Sequence, residues 1–161
     1  MKSAARKGLG FGSTSGIITS LGMMVGLAFS TNSSLYVVAG IAVIAVTDAL
    51  SDAVAIHVSE EAGNKENEKS IWVETITTFL SKFLVALVFI GPVLFMELKT
   101  AVVFSVIVGL SLIAIISLLI ARIEKKGPGK IILEHIIIAI LVIIATGLIG
   151  RYIESVKTNY L

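Results

Sequence analysis

Long apolar runs separated by short polar connectors set the pattern of this chain. The runs extend from Gly10 to Phe29, from Leu35 to about His57, from Ile71 to Met96, from Thr100 to Ala121 and from Ile131 to Gly150. A hydrocarbon core of about 30 Å takes roughly 20 residues of helix to cross, and each run is of that order. A barrel strand would need only about 10 residues with strict alternation, which is absent. The pattern predicts an all-α integral membrane protein in which residues 1–161 form a single domain of five transmembrane helices. The connectors carry turn chemistry: Thr31-Asn32-Ser33-Ser34, Ala62-Gly63-Asn64-Lys65 and Lys126-Gly127-Pro128-Gly129. The basic start (Lys2, Arg6, Lys7) resembles a signal peptide, but Ser13, Thr14, Ser15, Thr19 and Ser20 interrupt the run that follows. We read it as a retained first helix. Gly91-Pro92 should kink or weaken the far end of the third span.

Composition agrees with that pattern. Of the 161 residues 56% are hydrophobic and only 15% charged, against roughly 25% charged in soluble domains. A net charge of +2 is too small to argue for nucleic acid as a partner. With no cysteine there is no disulfide framework, zinc ribbon or iron–sulfur cluster. Lys2, Arg6, Lys7, Lys65, Lys69, Arg122, Lys125, Lys126 and Lys130 fall on the N-terminal side of the membrane, against Lys99, Arg151 and Lys157 on the other. That bias predicts a multi-pass protein of the cell membrane with a cytoplasmic N-terminus and an external C-terminus.

Polar residues inside the spans carry the candidate chemistry. Each ionisable group in hydrocarbon costs about 2.5–3.5 kcal/mol on insertion scales, so such groups normally face an interior or a pathway. Asp48 and Asp52 lie one turn apart on one face of the second span. Glu74, Thr77, Thr78, Ser81 and Lys82 share a polar sector of the third, and the fifth opens with Glu134 and His135. The fourth span, with only Ser105, Ser111 and Ser117, reads as a lipid-facing wall. At 1.5 Å per residue, Asp48 lies roughly 20 Å and Asp52 about 26 Å from the outer start of their span. From the opposite surface Glu74 lies about 4 Å deep, Glu134 and His135 roughly 5–6 Å, and Lys82 about 16 Å. Asp52, Glu74, Glu134 and His135 therefore share one level, an oxygen-and-nitrogen set suited to manganese or ferrous iron. Deeper in, Asp48 and Lys82 approach each other as a carboxylate and its countercharge.

Plainer readings stand beside these. The four residues near the boundary can snorkel to headgroups. Asp48 and Lys82 can form a purely structural ion pair. His57 with Glu61 reads as a solvated helix end, the glutamates flanking Lys65 and Lys69 as a mixed-charge loop, and Met23 and Met24 as packing. In the first span Gly8, Gly12 and Gly16, then Gly22 and Gly26, recur every fourth residue. Such spacing lets two helix backbones approach closely, and we read Gly12 and Gly16 as a dimer face.

GSTSGIITSLGMMVGLAFS (12–30) and DALSDAVAIHVSEEAGNKEN (48–67) resemble the vacuolar iron transporter family, closest to its small prokaryotic relatives. EKSIWVETITTFLSKFLVAL (68–87) and KIILEHIIIAI (130–140) resemble its shorter archaeal members. The resemblance implies five spans with the N-terminus inside, a homodimer, and export of ferrous iron or manganese from the cytoplasm in exchange for protons. It also implies that the first two helices of both subunits line the path. The chain departs from the family at several positions. Ser15 stands where transporting members carry an acidic residue, Asp52 where they carry methionine, and Ile44 where a further acidic residue is expected. A short loop replaces the glutamate-rich cytoplasmic domain between spans two and three. Carboxylate in place of sulfur favours a harder cation.

The expectation is thus a dimeric transporter, not an enzyme, with a divalent metal ion as cargo and no resident cofactor. Its partners are a second copy, the bilayer, the cation and protons. Asp48 and Asp52 would bind cation or proton, Glu74, Glu134 and His135 would complete an entry site, and Lys82 would replace the departed cation. Ser15, Thr19, Thr78 and Ser81 would line the pathway. The rivals are a non-transporting scaffold with a structural Asp–Lys pair and an exporter of organic cations.

Overall fold

The computed structural model describes residues 2–63, 67–125 and 127–160. These form six α-helices: α1 (Lys2–Thr31), α2 (Ser34–Gly63), α3 (Glu68–Val88), α4 (Ile90–Phe95), α5 (Leu98–Glu124) and α6 (Pro128–Tyr160). Five helical stretches are long and apolar enough to cross a membrane, since α3 and α4 together make one span over Glu68–Phe95. The interruption falls at Phe89, whose N–H turns back to the Ala86 and Leu87 carbonyls. Pro92 explains its place: it has no N–H for the carbonyl four residues earlier, and its ring crowds that carbonyl.

The helices outrun the apolar segments that announce them. α1 starts at Lys2 rather than near Gly10, and α6 continues past Gly150 to Tyr160. Hydropathy marks where hydrocarbon would end, whereas a helix stops where its backbone is broken or capped. Asn67 caps α3, its side chain accepting from the Ser70 N–H at 2.9 Å. Asn32 turns the α1–α2 corner with a left-handed φ of 48°, a conformation asparagine tolerates. Lys125 closes α5 with a φ of 54°, and Pro128 opens α6, where its missing N–H costs nothing. Asn64 and Lys65 of the second connector and Lys126 of the third lie outside the described residues.

α1 is the central helix. It packs against α3 and α2 on one flank and against α6 and α5 on the other, while α4 bridges α2 to α5. Ile17, Leu21 and Met24 of α1 meet Val37 and Ile41 of α2, Phe89, Val93 of α4, and Ile113 of α5 in the apolar core. Large apolar side chains such as Val43, Leu84, Ile107 and Leu141 cover the outside, as a lipid-facing surface requires. α5 is not a plain wall: Ala101, Ser105, Gly109, Ile113, Ser117 and Ala121, every fourth residue, turn inward and are buried. The serines look polar in sequence, but they are small, and smallness is what lets α5 close on its neighbours.

The glycine stripe of α1 is taken up within the chain. A Cβ added at Gly8 would stand 2.6 Å from the Glu74 carbonyl oxygen, and one at Gly12 2.5 Å from that of Thr78. At Gly16 it would meet Lys82 at 3.1 Å. Gly12 and Gly16 therefore seat α3 and leave no room there for a second copy, which corrects the dimer face expected from the spacing. The spacing reports close approach of two helices without saying which two.

A candidate cation site between three helices

Asp48 and Asp52 project from α2 one turn apart, and Lys82 reaches them from α3. Ala45, Ala49 and Ala53 form the buried face of α2, so small side chains bring the helices close enough for the reach. Lys82 Nζ forms an ion pair with Asp52 Oδ2, lies 2.7 Å from Asp48 Oδ2 and donates to Ser15 Oγ at 2.9 Å. Ser15, from α1, in turn donates to Asp52 Oδ2 at 2.9 Å. The Asp48 contact lacks hydrogen-bond alignment, so it is electrostatic. The Lys82 side chain is only 2% exposed, while those of Asp48 and Asp52 are 31% and 23% exposed.

Two carboxylates facing one ammonium leave the centre one negative charge in excess. The two carboxylates keep an open side. Asp48 lines a cavity of about 720 Å³ between α1, α2 and α6, together with Thr19, Thr47, Ser51 and Thr146. A cation in the cavity can therefore meet Asp48 while the ammonium holds both carboxylates from behind. The donors it would meet are oxygens, which suit hard cations better than soft ones.

The remaining expected residues scatter. Glu74 is buried near the N-terminal end of α3 with Lys7 Nζ at 3.7 Å, and Lys7 also reaches Glu60 at 3.5 Å. Glu134 is 55% exposed and pairs with Lys130 at 3.8 Å. His135 Nδ1 lies 2.7 Å from Ser117 Oγ of α5. Among the described residues no three His, Cys, Asp or Glu side chains gather as a group fit to hold a metal ion. The level shared by Asp52, Glu74, Glu134 and His135 is thus not a meeting point. Depth along a helix fixes one coordinate, and α6 packs on α1 and α5, across α1 from α3.

The polar residues expected to line a pathway divide likewise. Thr19 lines the large cavity and Ser15 joins the charged centre. Thr78 and Ser81 are buried in the α1–α3 seam, where Ser81 Oγ donates to the Gly8 carbonyl at 3.2 Å. They hold helices together rather than face an opening. Two contacts escaped the sequence reading. His57 Nδ1 lies 3.0 Å from Thr75 Oγ1, whose own proton goes to the Ile71 carbonyl at 2.8 Å, so His57 is the donor. Ser117 was passed over with its span, although the recurrence of small residues every fourth position in α5 marks its buried side.

A family model described as the VIT family matches residues 44–151. The matched stretch holds Asp48, Asp52, Glu74, Lys82, Glu134 and His135, and leaves α1 with Ser15 and its glycines outside. No curated protein and no solved structure matches the chain.

Proposed function

The chain belongs to the VIT family, the vacuolar iron transporters, and on that premise we propose that it exports a divalent transition metal, iron or manganese, from the cytoplasm by exchange for protons. The observation that carries this reading is the pair of half-buried carboxylates, Asp48 and Asp52, held by one buried ammonium, with Asp48 lining a cavity. In the empty state Lys82 neutralises half of their charge. A divalent cation reaching the centre takes carboxylate oxygens from Lys82 and is repelled by the ammonium it displaces. Binding is then strong enough to strip water yet weak enough to reverse, which transport requires. Cation and proton are mutually exclusive occupants of such an anionic centre, and exclusion is the minimum for exchange.

The proposed unit is a homodimer. With Gly12 and Gly16 committed to α3, a second copy fits best across the open side of the large cavity, where α1 and α2 are both presented. The residues named for the cation are Asp48 and Asp52 alone. Glu134 and His135 are left out of the ligand set by their positions on α6.

Manganese uptake by purified protein in liposomes, with internal pH recorded, tests the proposal. Expected is uptake above protein-free vesicles with a rise in internal pH as protons leave. No uptake at any pH would leave the Asp52–Lys82 pair as a structural tie in a membrane scaffold.

A further inference from the structure

His135 borders a second cavity, of about 470 Å³, between α1, α5 and α6, lined also by Thr14, Ser15, Thr19, Ile120 and Ile138. Three features make it more than a gap. Ser117 is fully buried and turns its hydroxyl to His135 Nδ1 at 2.7 Å, whereas Thr19, Thr75, Ser111 and Thr146 donate to carbonyls of their own helices. His135 Nε2 has no hydrogen-bond partner among the described residues. Thr14 Oγ1 is buried with no partner either, a polar atom that calls for water in the cavity. Ser15 and Thr19 tie this cavity to the cation centre: Ser15 bonds Asp52 and Lys82, and Thr19 lines the large cavity as well.

We propose that His135 is a separate proton-binding site, held by Ser117, that controls cation entry through this inner cavity. The claim rests on the transport reading above for its consequence, but not for the proton site itself. Among the described residues the Ser117 hydroxyl has no carbonyl to donate to, so it donates to Nδ1 of the neutral ring and turns to accept when Nδ1 is protonated, while Nε2–H faces the cavity water. As an imidazolium, His135 repels a cation approaching past Thr14 and Ser15; as a neutral ring it lets one through. Charged groups stand around it on each packed element. From α1, Arg6 and Lys7 line the adjoining opening, which shares Gly10 and Phe11 with this cavity. From α5 comes Ile120, with Arg122 beyond it; on α6 itself Glu134 is turned outward to Lys130.

Two measurements decide it. Nitrogen-15 spectra of the His135 ring, in whole protein in lipid nanodiscs between about pH 5 and 8, should show the ring gaining and losing a proton. In Ser117→Ala the Nδ1 resonance of the neutral ring should move as its hydrogen bond is lost, and Ser117→Thr should restore it. A ring that keeps one protonation state, or an Nδ1 resonance indifferent to Ser117, overturns the proposal. The second measurement is manganese uptake with equal pH on both sides of the vesicle. Wild type should be about tenfold faster at pH ~7.5 than at pH ~5.5, the span over which a histidine changes charge. His135→Gln should stay fast and lose most of that slope, what remains being proton competition at Asp48 and Asp52, and His135→Arg should be slow at both pH values. A wild-type slope in His135→Gln overturns the gating claim. Absence of uptake in every chain would count against the transport reading, and the spectra would still settle the proton site.

Discussion

Lys82 of α3 stands 2.7 Å from Asp48 of α2 while pairing with Asp52 one turn further on, so a single buried ammonium serves two carboxylates. Its burial ranks it among fully enclosed side chains of the core, yet Asp48, one of the acids it serves, opens to a cavity. That asymmetry separates a transport centre from a sealed ion pair, and the predictions follow from it.

Lys82→Met keeps the bulk of the side chain and removes its charge. Breaking a buried pair by removing one partner costs about 3–5 kcal/mol, and the open side of the aspartates should hold the loss near the lower figure. Manganese should restore the stability, because the ion replaces the missing charge and binds only the folded state. Thermal unfolding in detergent, with and without the metal, reads this out; an unfolding temperature of Lys82→Met that manganese leaves unmoved speaks against a cation site.

Gly12→Ala should destabilise the fold by about 1–3 kcal/mol, the usual cost of overpacking, because the added carbon meets the Thr78 backbone. Gly91→Ala, where an added carbon meets nothing within 4 Å, serves as the control. Gly12→Ala should leave the association state of the surviving folded protein unchanged. Light scattering that finds monomers in place of dimers, with unfolding temperature intact, would return the glycines to an intersubunit role.

Reporter fusions at Gly63, Lys125 and Thr158 check the handedness of insertion. The lysine and arginine bias places the first two on the cytoplasmic side and the third outside. Gly63 and Thr158 on the same side would contradict five crossings.

Much of this architecture is legible in the chain because the bilayer simplifies it. Span number follows from apolar length, and the break at Phe89 follows from Pro92. The pairing of Asp48 with Lys82 follows from face and depth together, since α2 and α3 are consecutive and antiparallel neighbours. The same depth argument misplaces Glu134 and His135, because nothing local says that α1 separates α6 from α3. The glycines of α1 announce a close contact but not its partner, and the serines of α5 are too sparse to reveal that small residues mark its buried side. What hydropathy leaves out in each case is rotation about the helix axis and order around the bundle.

The central claim is that Asp48 and Asp52 form a cation site for which Lys82 competes. Calorimetric binding of manganese to purified wild type, Asp52→Asn and Lys82→Met at one pH tests it most directly. Asp52→Asn should weaken binding by at least about tenfold, or about 1.4 kcal/mol, because one of two anionic ligands loses its charge. Lys82→Met should bind more tightly than wild type, because no ammonium has to be displaced. Equal affinities in all three proteins, or no binding by any of them, would contradict the account.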